Sequence, residues 1–69
     1  MSENNQEYKY EIGDQVKILT GLYAGRIGSV KTRTVRMGVR CYGVKVTMLS
    51  PRGAMVLQPE INEDDLAAR

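Results

Sequence analysis

The sequence predicts an all-β domain of five short strands, and three observations support that expectation. Apolar and polar residues alternate in Val16-Lys17-Ile18 and in Val44-Lys45-Val46-Thr47-Met48, the period-two pattern of strands with one buried face. Glycine and proline punctuate the chain at Gly13, Gly21, Gly25, Gly28, Gly38, Pro51, Gly53 and Pro59, leaving segments of strand length between them. The helical signal is confined to a single turn near the C-terminus, around Asn62. At 69 residues the chain makes one small domain with a thin core.

Each element has a local reason. Residues 1–8 lack apolar periodicity and are expected to form a disordered tail, which leaves 9–69 as the folded domain. Tyr8, Tyr10 and Ile12 alternate with Lys9 and Glu11, either as a short lead-in strand or as a segment laid across the end of the fold. Gly13-Asp14 is a turn signal. The first strand is predicted over 15–19, with Val16 and Ile18 inward. The segment 20–26 is too glycine-rich to continue it. The second strand is predicted over 28–36, where Gly28 marks a bulge or bend and Val30 points inward. Simple alternation from Val30 turns Lys31 and Arg33 outward. Met37-Gly38 reads as a two-residue hairpin turn or, because Met is disfavoured at its first position, a longer loop.

The third strand is predicted over 39–49, with Tyr42, Val44, Val46 and Met48 on one face and Lys45 on the other. Ser50-Pro51-Arg52-Gly53 suits a type I turn. A fourth strand over 54–58 ends at Pro59, which cannot donate to a ladder. Asn62 is a candidate N-cap for a turn holding Glu63, Asp64 and Asp65. The last strand is a stub at 66–69.

Charge is strongly segregated behind a formal net value of +2. The acids Glu3, Glu7, Glu11, Asp14, Glu60, Glu63, Asp64 and Asp65 all lie near the chain ends. Between Gln15 and Pro59 stand only cations: Lys17, Arg26, Lys31, Arg33, Arg36, Arg40, Lys45 and Arg52. Like charges without a counter-charge suggest a polyanionic or acidic partner, against the simpler role of keeping a small domain soluble. These residues form a candidate nucleic-acid-binding set, because Lys and Arg neutralise phosphates with salt-dependent affinity. Tyr42 sits in the inward register, whereas Tyr23 is the better candidate to stack on an exposed base. Lacking a recognition helix, the domain suits structured RNA better than a DNA major groove. The acidic segment 60–69 is placed to fold over the basic face and weaken binding.

Catalytic parts are missing. The chain has no His, hence no ordinary general base near neutral pH and no triad. Cys41 is the lone cysteine; it forms no internal disulfide, suits a reducing cytoplasm and reads as a small buried apolar residue. Glu63, Asp64 and Asp65 lack the spacing of a calcium loop, and the glycines do not match a phosphate-binding loop. A non-enzymatic protein without cofactor or metal is expected. The polar N-terminus is no signal peptide, and no run has the length of a membrane span. A cytoplasmic monomer is expected.

The stretch from residue 13 to residue 30 resembles the KOW motif, through Gly13, Asp14, Val16, Ile18, Gly21, Gly25, Gly28 and Val30. That resemblance implies a small SH3-like five-stranded barrel with a short 3-10 turn before its last strand. It also implies work on RNA, the ribosome or RNA polymerase, as in KOW ribosomal proteins and the C-terminal domain of NusG-type transcription factors. The acidic ends and small net charge depart from the uniformly basic ribosomal members. A larger domain precedes the barrel in NusG-type factors, so the chain is expected to be a free-standing accessory. Leu22 and Tyr23 at the loop tip form either a plug over the barrel end or, as in KOW loops, a docking point together with Arg26. Two functions follow: binding of RNA or a ribonucleoprotein through the basic hairpin, or docking of an acidic protein surface through the loop and the same basic face.

Overall fold

Period-two alternation in the sequence becomes six strands in a computed structural model that describes residues 8–69. They are β1 (Gln15–Ile18), β2 (Ile27–Arg36), β3 (Val39–Ser50), β4 (Gly53–Leu57), β5 (Glu60–Asn62) and β6 (Leu66–Ala68), with a 3-10 turn at Glu63–Asp65 between the last two. All pairings are antiparallel, in the order β4-β3-β2-β1-β6, and β5 also pairs with β3. Both β4 and β5 lie along the same edge of β3. The 3-10 turn then carries the chain from β5 to β6, on the free edge of β1. The curled sheet is thus closed by a covalent connection, giving the expected small all-β barrel.

The inward residues anticipated from alternation make the core. Val16, Ile18, Val30, Tyr42, Val44 and Val46 are fully buried, and Tyr10 and Leu66 close the ends of the cluster. Each such aliphatic side chain contributes about 1.5–3 kcal/mol through burial. Cys41 is buried as expected. Of the expected 1–8 tail, residues 1–7 lie outside the described residues; Tyr8 packs edge-on against Tyr42, with ring centres 6.0 Å apart. Of the two readings for residues 8–12, the segment laid across the barrel mouth is the one observed.

Two glycines of the motif have separate physical reasons. Gly25 has φ +87° and its N–H donates to the Ile18 carbonyl at 2.7 Å, closing the loop in a backbone region that L side chains avoid. Gly28 faces the core, where a Cβ would overlap the Lys45 carbonyl and the Val44 side chain. It lets β2 and β3 approach closely.

Three local expectations are corrected, and a fourth, left open between two readings, is decided. A β-bulge between Val30 and Thr32 leaves Lys31 as an extra residue: Val30 faces Val44, but Thr32 faces Gly43 and Arg33 faces Tyr42. Phase reverses there, so Arg33 lies on the barrel-mouth side and Thr32 on the outer side. Second, Pro59 interrupts the ladder without ending it, and β5 resumes pairing to β3 at Glu60, adding a sixth strand to the expected five. Third, Asn62 makes no side-chain cap; its Oδ1 lies 3.3 Å from the Cys41 thiol, which donates to it. Fourth, Met37-Gly38 is a two-residue turn closed by Arg36 and Val39, with φ of +52° and +79°. Positive φ at both positions matches the twist of a hairpin, and Met37 takes it despite its side chain.

Candidate functional site

The barrel separates its basic residues into three places. On the outer face, Lys17 lies beside Ile27 in β2 and Ala67 in β6, while Lys45 lies beside Ser29. The bulge adds Lys31. Lys31 and Lys45 line one shallow depression of about 240 Å³ with Gln15, Ile27, Gly28, Ser29 and Thr47, and no carboxylate. Arg69 reaches the same face: it follows outward Ala67 in the alternation of β6, and its Nη1 donates to Gln15 Oε1 at 2.5 Å. Arg69 was absent from the sequence-based set because it belongs to the acidic end. The signal that finds it is the inward phase of Leu66, which turns residues 67 and 69 outward.

At the mouth, and on the outer side beside β5, cations meet acids or aromatic rings. The Arg33 guanidinium lies 4.7 Å from the Tyr8 ring centre, and its Nη1 donates to the Tyr10 carbonyl at 3.5 Å. Arg36 pairs with Glu60 at 2.6 Å and Arg40 with Glu63 at 3.8 Å. The hydrogen bond and charge of Glu60 hold the exposed Arg36 guanidinium even more firmly protonated than usual. The acidic segment therefore does fold over part of the basic hairpin, through Glu60 and Glu63. The expected single surface of Lys31, Arg33, Arg36, Arg40 and Lys45 is divided, and the division follows from the bulge and from β5.

Glu63 is the hub of the mouth. Its Oε2 accepts from the Tyr42 hydroxyl at 2.5 Å and from the Lys9 N–H at 3.1 Å. The Tyr42 oxygen itself accepts from the N–H groups of Lys9 and Tyr10 at 2.9 and 3.3 Å. Burial pushes the Tyr42 hydroxyl up, and its bond to Glu63 pushes it further, so it stays a donor. Burial also pushes Glu63 up, but the hydrogen bonds from Tyr42 and Lys9 and the charge of Arg40 outweigh it and hold the carboxyl below its ordinary value. Glu63 is thus tied to the mouth network. Tyr42 is core, as its register implied.

Arg26 and Arg52 stand apart, in the β1–β2 loop and at the β3–β4 turn. In that first loop the two tip residues separate. Tyr23 packs partly against the core, whereas Leu22 is 89% exposed. A groove of about 360 Å³ runs between Thr20–Tyr23 on one side and Pro59–Asn62 with Asp65 on the other. Tyr23 thus fits the plug expected of this loop, while its neighbour Leu22 stands out from it.

Comparison of the chain with protein-family models, curated proteins and solved structures returns no match. Among the described residues, no helix is long and apolar enough to cross a membrane.

Proposed function

We propose that this protein is a non-enzymatic, KOW-type SH3-like barrel that binds RNA or a ribonucleoprotein as a cytoplasmic accessory of ribosome or transcription complexes. The observation that carries this reading is the depression on the outer face, which Lys31 and Lys45 line without a carboxylate, with Lys17 and Arg69 on the same face. Cations held on rigid strands suit phosphate oxygens, and such contacts position a nucleic acid without reading its sequence. Ile27, 45% exposed on this face, offers an apolar surface beside the lysines. The glycine pattern of residues 13–30 and the barrel topology support the family reading.

The test is fluorescence anisotropy with a structured RNA across a salt series. Lys31→Ala with Lys45→Ala should weaken binding roughly tenfold and lower the log–log salt slope by about two. Arg36→Ala with Arg40→Ala should change it much less, since both already face carboxylates. Absence of binding at low salt, or equal loss from the two double variants, overturns the reading.

The exposed Leu22 beside the loop groove favours a second reading, a module that docks an acidic protein through Leu22, Tyr23 and Arg26. Capture from nuclease-treated lysate separates the two: partners that vanish with nuclease speak for RNA, and partners that persist but are lost with Leu22→Ala speak for docking.

A further inference from the structure

The strand β4 is bound on one side only. Its ladder runs against β3 from Val46–Leu57 to Ser50–Gly53, and the chain then crosses Pro59 to pair with an earlier part of β3, so the far edge of β4 carries no strand among the described residues. An antiparallel strand turns alternate N–H and C=O groups to its free edge, which is a template for another strand. Natural edges are blunted by charge, proline or a bulge. Gly53-Ala54-Met55-Val56-Leu57 has none of these. The ribbon is apolar on both faces, with Leu49 83%, Met55 54% and Val56 57% exposed.

From this edge we infer that the protein self-associates as a two-fold dimer in which β4 pairs antiparallel with β4 of a second copy. Charge and pattern select this occupant. The strand is uncharged, so a polyanion finds no cation on it. Two copies of a net-positive chain can meet here without opposing like charges. A two-fold axis at Met55 sets Ala54 against Val56 of the partner subunit and Gly53 against Leu57 of the partner subunit. It also sets Arg52 against Gln58 of the partner subunit, again without a charge clash. Apolar residues meet on both faces, and Pro59, which could not donate, lies beyond the paired segment. A five-residue strand pair is small beside a standard interface, so the dimer forms in a concentration-dependent way. The two-fold pairing consumes the edge and stops assembly at two copies.

Sedimentation velocity of the full, nucleic-acid-free chain over a concentration series tests this, with amide hydrogen exchange as the local readout. The expected result is a monomer–dimer transition that strengthens in high salt, where like-charge repulsion is screened, with added protection at Ala54 and Val56. Val56→Lys should weaken dimerisation roughly tenfold or more, and Ala54→Lys should do the same, with unchanged circular dichroism. Val56→Thr should keep the dimer. A monomer at every concentration, open-ended assembly, or a dimer indifferent to both lysine variants overturns the inference.

Discussion

The two halves of β3 live in different surroundings. From Val39 to Val44 the strand is flanked by β2 and β5, and Tyr8 and Tyr10 lie over Tyr42. From Val46 to Ser50 its ladder partner is β4 alone. The first half buries Cys41, Tyr42, Gly43 and Val44 in succession, so both of its faces are covered; in the second half Val46 is buried, Met48 is half-buried, and Leu49 and Ser50 are exposed. One continuous strand thus serves as core at one end and as projecting ribbon at the other. The difference shows that strand length alone says little about where stability resides; the number of covered faces decides it.

Substitutions along β3 and its neighbours should reproduce that gradient in urea denaturation. The largest effect belongs to Tyr42→Ala, which empties the centre of the core and removes the acceptor of two backbone N–H groups; the expected loss is about 3–5 kcal/mol. At the junction of the halves, Gly28→Ala forces a Cβ into the Lys45 carbonyl and should cost about 1–3 kcal/mol. Glu63→Gln, at the mouth, should cost roughly 1–2 kcal/mol. In the ribbon, Leu49→Ala should fall within about 0.5 kcal/mol. Comparable losses at Tyr42 and Leu49 would break the contrast between the halves.

The Glu63 network also makes the covered half pH-sensitive. The folded-state carboxyl titrates below its ordinary range, so its contribution is fully present above the unfolded value of about 4.3 and is lost as pH falls through the lower folded value. Acid titration followed by circular dichroism should show wild type losing stability in that window and Glu63→Gln losing less. At the tip of the same half, Met37→Asn should stabilise by up to about 1 kcal/mol, because Asn tolerates the positive φ that Met is forced into. The Met37 side chain is fully exposed and has no packing to lose, so a neutral or destabilising result would overturn this backbone argument.

Much of the fold was legible before any coordinates. Alternation placed Val16, Ile18, Val30, Tyr42, Val44 and Val46 inward, and glycine and proline marked the turns. Legibility stopped where one extra residue changed the phase. Counting by two from Val30 puts Arg33 outside, and nothing in Val-Lys-Thr-Arg announces that Lys31 will be skipped. Pro59 misled for a related reason: it removes one ladder bond, yet the next residue can pair again. The acidic segment was legible as a possible cover for the basic face. Which cations it takes depends on β5 register and was not. Arg69 was hidden by its acidic neighbours, although the alternation of its own strand pointed to it.

The bulge at Lys31 has a consequence for how such a surface can change over time. Exchanging one side chain for another on β2 alters a charge but leaves it on the same side of the sheet. Deleting Lys31 would do something different: Val30 would still face Val44 and Thr32 would still face Gly43, so the ladder would become regular, every later residue would keep its side, and the strand would lose a cation and its local kink and twist together. A single lost codon would therefore reshape the bend of the hairpin while leaving Thr32 and Arg33 on their present sides, so length variation at this point acts on the curvature of the surface, whereas substitution acts on its charge.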